Sequence, residues 1–173
     1  MKKSRQAFFA FFAIVVALSS CRLGIPSQEL DNFRARTDEW ATIIQISESN
    51  FGGVTERHES FVGLLEDTTA FQTQQKIKSD STLQFQIGQL KGNYEKLRHK
   101  HIYNLKVLRI WMEESNSWIN TINYSGTSST NAQKNWDSRQ ARFMRLKAKV
   151  DESSAAFDEL APAYQAIRAS VLP

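Results

Sequence analysis

The chain has 173 residues, with 22 Lys and Arg against 18 Asp and Glu, three histidines and one cysteine, Cys21. That length is enough for one domain with a real core, and a lone cysteine excludes an internal disulfide, so stability must come from packing. The formal net charge of +4 is no sign of nucleic-acid binding, because Lys2, Lys3 and Arg5 lie in the first five residues and without residues 1–20 the balance is 19 basic against 18 acidic.

Those first residues form a recognisable segment. The basic start leads into Phe8 to Leu18, which contains no polar residue, and then into Ser19-Ser20-Cys21. A charged start, an apolar stretch and small residues before a cut describe a secretory signal peptide. Eleven apolar residues are too few for the roughly 20 that cross a bilayer as a helix. Leu18-Ser19-Ser20-Cys21 resembles the lipobox of bacterial lipoprotein precursors, an aliphatic residue and two small ones before Cys. The resemblance covers residues 1–21 only. It implies cleavage between Ser20 and Cys21, a diacylglycerol on the Cys21 thiol and a fatty acyl group such as palmitate on the freed amine. Each buried methylene adds about 0.8 kcal/mol, and two or more chains anchor stably where one binds marginally. The expected organisation is thus a signal peptide over 1–20, a lipid-anchored tether over 21–26 and a single helical domain over 27–173. The implied location is the cell envelope. Arg22 is not the Asp that favours inner-membrane retention, so the outer membrane facing the periplasm is expected in a cell with two membranes. In a cell with one, the outer face of the cytoplasmic membrane is expected. Five tether residues, Arg22 to Pro26, reach at most about 18 Å and would hold the domain close to the membrane.

Beyond the tether the pattern is helical almost throughout. Ser27 is expected to cap a first segment, with Glu29 and Asp31 suiting its positive end. Its stripe is Leu30, Phe33, Trp40, Ile43 and Ile44. Gly52-Gly53 is expected to stop it. A second segment from about Val54 turns Phe61, Leu64, Leu65 and Phe71 inward. Folding at the glycines would pair Trp40 with Leu65 and Ile44 with Phe61 in a short hairpin.

Ser81-Thr82-Leu83-Gln84 reads as a capping box, or as the interior of a longer helix. The stripe that follows runs from Leu83 through Leu90, Tyr94, His101 and Leu108 to Ile122. Ile102, Val107, Ile110 and Trp111 widen it, so this helix should touch more than one neighbour. Gly88 and Gly92, one turn apart, would permit a close approach or a kink. A second capping box, Thr130-Asn131-Ala132-Gln133, follows the turn-rich residues 124–129. The last segment has a heptad seam of Trp136, Phe143, Val150, Phe157, Tyr164 and Val171, with Leu146, Leu160 and Ile167 between. Folding back at residue 127 aligns residues whose numbers sum to 254. That levels Trp118 with Trp136, Trp111 with Phe143, Leu97 with Phe157, Leu90 with Tyr164 and Leu83 with Val171; only Asn104 opposite Val150 breaks the ladder. The sequence therefore predicts an all-α fold, an antiparallel helical bundle built on a long coiled-coil-like helical hairpin. Its polar tip, residues 125–130, would point away from the membrane.

Catalytic and metal-binding patterns are weak. His99 and His101 are two apart and diverge on a helix, so they cannot share a metal. Glu95 and His99 are suitably spaced but lie among Lys91, Lys96, Arg98 and Lys100, which makes a solvated salt-bridging face the better reading. His101 falls on the apolar stripe and reads as a core or boundary residue. No nucleophile elbow or phosphate-binding glycine loop is present. Neither catalytic residues, a metal site nor a cofactor is expected, and the chain reads as a non-enzyme.

Charge gives the functional reading. Residues 21–80 hold 6 basic and 10 acidic residues, and residues 81–173 hold 13 and 8. Fold-back gathers Lys96, Lys100 and Lys106 with Arg142, Arg145 and Lys149 into a basic belt. This is a candidate surface for an envelope protein or an anionic envelope component. The alternative for the belt is that the acidic N-terminal hairpin covers and neutralises it. The leading expectation is a lipid-anchored scaffold or adaptor that recruits a partner through the bundle, with no nucleic-acid role. The other is a carrier or chaperone that holds an apolar ligand or client segment within the bundle, around Trp111. The sequence leaves the oligomeric state open.

Overall fold

The computed structural model describes residues 24–67, 69–122 and 124–171. The expected signal peptide, Cys21 and the first half of the expected tether, residues 21–23, lie outside the described residues. Among the described residues five helices follow in order: α1 (Ser27–Glu66), α2 (Phe71–Ser79), α3 (Ser81–Ile122), α4 (Ser129–Asp158) and α5 (Ala161–Val171). No helix among the described residues is long and apolar enough to cross a membrane.

α3 and α4 form the expected antiparallel hairpin, in the expected register. Trp118 and Trp136 stack with ring centroids 6.5 Å apart. Arg139 Nη1 donates to Ser115 Oγ at 3.3 Å, and His101 Nδ1 lies 2.9 Å from Ser153 Oγ. Each of these pairs sums to 254. With 42 residues, α3 is about 63 Å long at about 1.5 Å per residue.

α1 corrects the sequence reading. It runs unbroken through Gly52-Gly53 for 40 residues, antiparallel to α3 and parallel to α4, so the shorter N-terminal hairpin does not exist. Trp40 stacks on Trp136 and Phe143 at 5.1 and 4.2 Å, while Phe61 and Leu65 belong to a different apolar cluster from Trp40 and Ile44. Two interior glycines cost about 2 kcal/mol relative to alanine. Contacts on both sides of them exceed that cost: Phe51 packs on His101 and Phe157, and His58 stacks on Tyr94. Helix α1 ends at Asp67, whose Oδ1 accepts from Thr69 N and Oγ1. The Gln74 side-chain amide donates to the Leu65 carbonyl at 2.6 Å, supplying a partner that the last turn of a helix lacks. Leu64 and Phe71, expected inward, are exposed.

The caps shift toward the N-terminus, and Ser27 is no cap at all, since α1 starts at Ser27 after Pro26 with no side-chain cap hydrogen bond. Asp80 Oδ1 accepts from Leu83 N at 3.0 Å, so Asp80 rather than Ser81 caps α3. Ser128 caps α4, accepting from Asn131 N, two residues before Thr130. Gly126 takes φ +66 in the turn between them, a backbone conformation that favours glycine. The heptad continues through α4 and α5, but the helix breaks at Glu159–Leu160. Pro162 has no N–H, and its ring would meet the Asp158 carbonyl in a continuous helix. Gly88 and Gly92 have nothing within 4 Å of a built Cβ, so no close approach occurs there.

The result is an up-down-up bundle of α1, α3 and α4, closed at one end by α2 and α5. Thr73 Oγ1 donates to the Val171 carbonyl there at 3.5 Å. The core is in two parts. One, around Trp40, Leu108, Trp136 and Phe143, lies toward the end that holds Ser27. The other, around Leu90, Tyr94, Phe157 and Ile167, lies toward α2 and α5. Between them is a polar layer of His101, Asn104 and Ser153. Ser129 Oγ donates to Glu29 at 2.6 Å, so the 125–130 tip lies beside the start of α1. This reverses the expected orientation: an anchor just before residue 24 would hold the tip at the membrane and direct α2 and α5 outward.

Candidate functional site

On α3, Lys96, Lys100 and Tyr103 recur at i, i+4 and i+7, and Tyr103, Lys106 and Ile110 at i, i+3 and i+7. These spacings place them in one strip on the helix surface. Tyr103 is 66% exposed, and Ile102 and Ile110 are each 43% exposed. α3 does touch more than one neighbour, as expected, packing on α1, α2, α4 and α5, but Ile102, Tyr103 and Ile110 open to solvent. Lys106 lies between them, one turn from each, about 120° round the helix from Lys100.

α4 contributes the other cations. Arg142 and Lys149, seven apart, share a line, and Arg145 lies about 60° from it. The Arg142 guanidinium sits 4.1 Å above the Trp111 ring. Arg139 lies between Trp111 and Trp118, at 5.2 and 4.9 Å from their centroids, and its carbonyl accepts from Trp111 Nε1 at 3.1 Å. Burial holds the Arg139 guanidinium below its ordinary value, with Glu114 acting the other way. The result is an Arg–Trp ladder along the α3–α4 seam, in which each cation rests on a ring face.

The acidic α1 neutralises little of this face. Glu66 pairs with Lys91 at 2.7 Å, and Glu48 pairs with Arg109. Lys100 pairs with Glu152 at 2.7 Å, and this contact holds the Glu152 carboxyl below its ordinary value. Lys96, Lys106, Arg145 and Lys149 have no carboxylate within 4.0 Å among the described residues. Glu95 is taken up by Arg98 at 3.2 Å. Among the described residues no three His, Cys, Asp or Glu side chains cluster as metal ligands.

Two features escaped the sequence reading. The Arg–Trp ladder was foreshadowed by Trp111 and Trp118, seven apart, but its cations come from another helix. The second is a cleft of about 360 Å³ between α1 and the α4–α5 break. At Trp111, where the carrier alternative centres, the guanidinium groups of Arg139 and Arg142 lie over the ring. Comparisons with family models, curated proteins and solved structures returned no match.

Proposed function

We propose that the chain is a lipid-anchored adaptor of the bacterial cell envelope, tethered through Cys21, whose α3–α4 face recruits an acidic protein partner. The observation that carries this reading is the exposed strip of Ile102, Tyr103 and Ile110 set among the unpaired cations Lys96, Lys106, Arg145 and Lys149. An anionic polymer would need only the cations. An apolar strip with a charged surround matches the apolar centre and polar rim of protein interfaces, and the cations would speed encounter with an acidic surface. Anchoring is supported by Leu18-Ser19-Ser20-Cys21 and, from the short tether, would keep the Ser27 end of the bundle near the bilayer.

The test is crosslinking and pull-down from intact cells with three forms of the chain: unchanged, Cys21→Ser, and Lys96→Glu/Arg145→Glu/Lys149→Glu. These three cations are exposed and unpaired, so their reversal spares the fold. The expected result is a specific protein crosslink that disappears on reversal, and release of the Cys21→Ser form from the membrane fraction. A partner retained by the reversed form, or a Cys21→Ser form that stays membrane-bound, would overturn the corresponding half of the reading.

A further inference from the structure

The cleft between α1 and α5 has the features of a ligand site. Val54, Arg57, His58 and Phe61 repeat at i, i+3, i+4 and i+7 on α1, so they form one face. Tyr164 and Arg168, one turn apart, present the facing wall from α5, and Phe157 and Leu160 extend the apolar lining into the α4–α5 break. That break, imposed by Pro162, lets α5 diverge from the line of α4.

The polar groups of this wall are already engaged. Burial pushes the Tyr164 hydroxyl up to about 12, so it keeps its proton. Burial also lowers His58, whose Nδ1 shares a hydrogen bond with that hydroxyl. What remains to face an occupant is ring surface: Phe61 meets Tyr164 edge-on at 4.9 Å. Charge complementarity supplies the other half. Arg57 and Arg168 both line the cleft, against the single carboxylate of Asp158. Neither arginine is in an ion pair among the described residues, and Arg57 uses only Nε, on the Gly53 carbonyl at 3.2 Å. Apolar walls with two cations call for an occupant that is apolar along its length and anionic at one end.

Size argues against a partner helix. Two turns of helix with side chains, about 10 Å wide and 10 Å long, fill on the order of 800 Å³, about twice the cleft. The volume falls instead at the small end of the range for small-molecule sites. We propose that this cleft binds a single-chain anionic amphiphile, such as a long-chain carboxylate. The tail lies against Phe61, Phe157, Leu160 and Tyr164, and the head lies at Arg57 and Arg168. This site gives the carrier alternative a physical location, and it stands whether or not the α3–α4 face recruits a partner.

The test uses the full chain in phosphatidylcholine nanodiscs with a long-chain fatty acid bearing a mid-chain diazirine. Illumination and peptide mapping should place adducts within residues 54–61 and 157–168. Excess palmitate should reduce labelling at least tenfold, while the uncharged alcohol of the same length should not. Arg57→Glu/Arg168→Glu should cut labelling about tenfold with the helical circular dichroism unchanged, and Ala161→Trp, which fills the cleft, should abolish it. Adducts spread along the bundle, or absent from these segments, would overturn the site. Equal competition by the alcohol, or full labelling of the double reversal, would overturn recognition of the anionic head.

Discussion

Replacing His101 with leucine should stabilise this protein, and more so in acid. His101 is 1% exposed. Ser153 has one hydroxyl proton, which is committed to the Val150 carbonyl at 2.9 Å. The Ser153 oxygen therefore accepts, from His101 Nδ1–H and from Asn104 Nδ2 at 3.3 Å. That fixes the tautomer and leaves His101 Nε2 as a buried acceptor without a partner, at a cost of about 1–3 kcal/mol. In His101→Leu, Ser153 keeps both Asn104 and Val150, so no new orphan is created. Against the gain stands the loss of ring contacts with Phe51 and Phe157, about 0.5–1.5 kcal/mol. The net at pH 7.5 runs from about −0.5 to about +2.5 kcal/mol, centred on a gain of about 1 kcal/mol for leucine. Acid widens the gap. Burial lowers His101 below 6.5 with no opposing charge, so below pH 6.5 the unfolded chain binds a proton that the folded chain refuses. Stability is lost as pH falls from 6.5 toward the folded value, by up to about 1.4 kcal/mol per such histidine at pH 5.5. His58 is also lowered, by burial and Lys91 against Glu95 and Glu59, but it is present in both proteins and drops out of the comparison. Urea unfolding at pH 7.5 and 5.5, followed by circular dichroism, measures both effects. A variant less stable than the parent by more than about 0.5 kcal/mol at pH 7.5, or one with an unchanged loss between the two pH values, would refute the reasoning.

Three further outcomes follow from packing and capping. Phe143→Ala removes a fully buried ring from the aromatic column beneath Trp40 and should cost about 3–5 kcal/mol, seen as a fall in Tm of roughly 6–20 °C. Gly52→Ala/Gly53→Ala should raise stability by about 2 kcal/mol, since both lie inside α1 with nothing within 4 Å of a built Cβ. Destabilisation in that thermal melt would instead indicate a chain that turns at the glycines. Asp80→Ala should cost about 1 kcal/mol, while Ser81→Ala should be nearly neutral in the same urea titration. The opposite order would return the cap to Ser81.

What was legible in the sequence was the part that repeats. Trp136, Phe143 and Phe157 at heptad spacing, with Trp118, Trp111 and Leu97 at matching distances across the 124–129 turn, fixed both the hairpin and its register. Gly52-Gly53 misled because a helix interior or a turn there depends on contacts made elsewhere. Phe51 on Phe157 is a pairing 106 residues apart, and local propensity does not record it. The N-caps were misplaced because several polar residues compete at each helix start; Asp80 beside Ser81 and Ser128 beside Thr130 are equally good on composition. The basic belt was legible as a charge count, but not the Trp111 and Trp118 faces that hold Arg139 and Arg142. The cleft was illegible for the same reason as the α1 contacts. Its two walls lie on segments about a hundred residues apart, each reading alone as an ordinary amphipathic face.

The two candidate surfaces are separable, and that makes their relation testable. The cleft is lined by α1, the end of α4 and α5, with no residue from α3. Lys96, Tyr103, Lys106 and Ile110 are exposed on α3, and none of them lines the cleft. Ring contacts join the two regions beneath the cleft wall: Tyr94 of α3 stacks on His58 with centroids 3.5 Å apart, and both Tyr94 and His101 meet Phe157, at 5.7 and 5.8 Å. Tyr94 is buried on the core face, whereas Lys96, two residues on, lies about 160° round the helix, so a charge change at Lys96 has no direct path to the His58 ring. Lys96→Glu/Arg145→Glu/Lys149→Glu should therefore abolish the protein crosslink and leave fatty-acid labelling of the cleft within about twofold of the parent. Reversal that changes labelling tenfold would correspond to a coupling of about 1.4 kcal/mol, and would mean that α3 moves as a unit and carries the state of its outer face to the cleft through Tyr94.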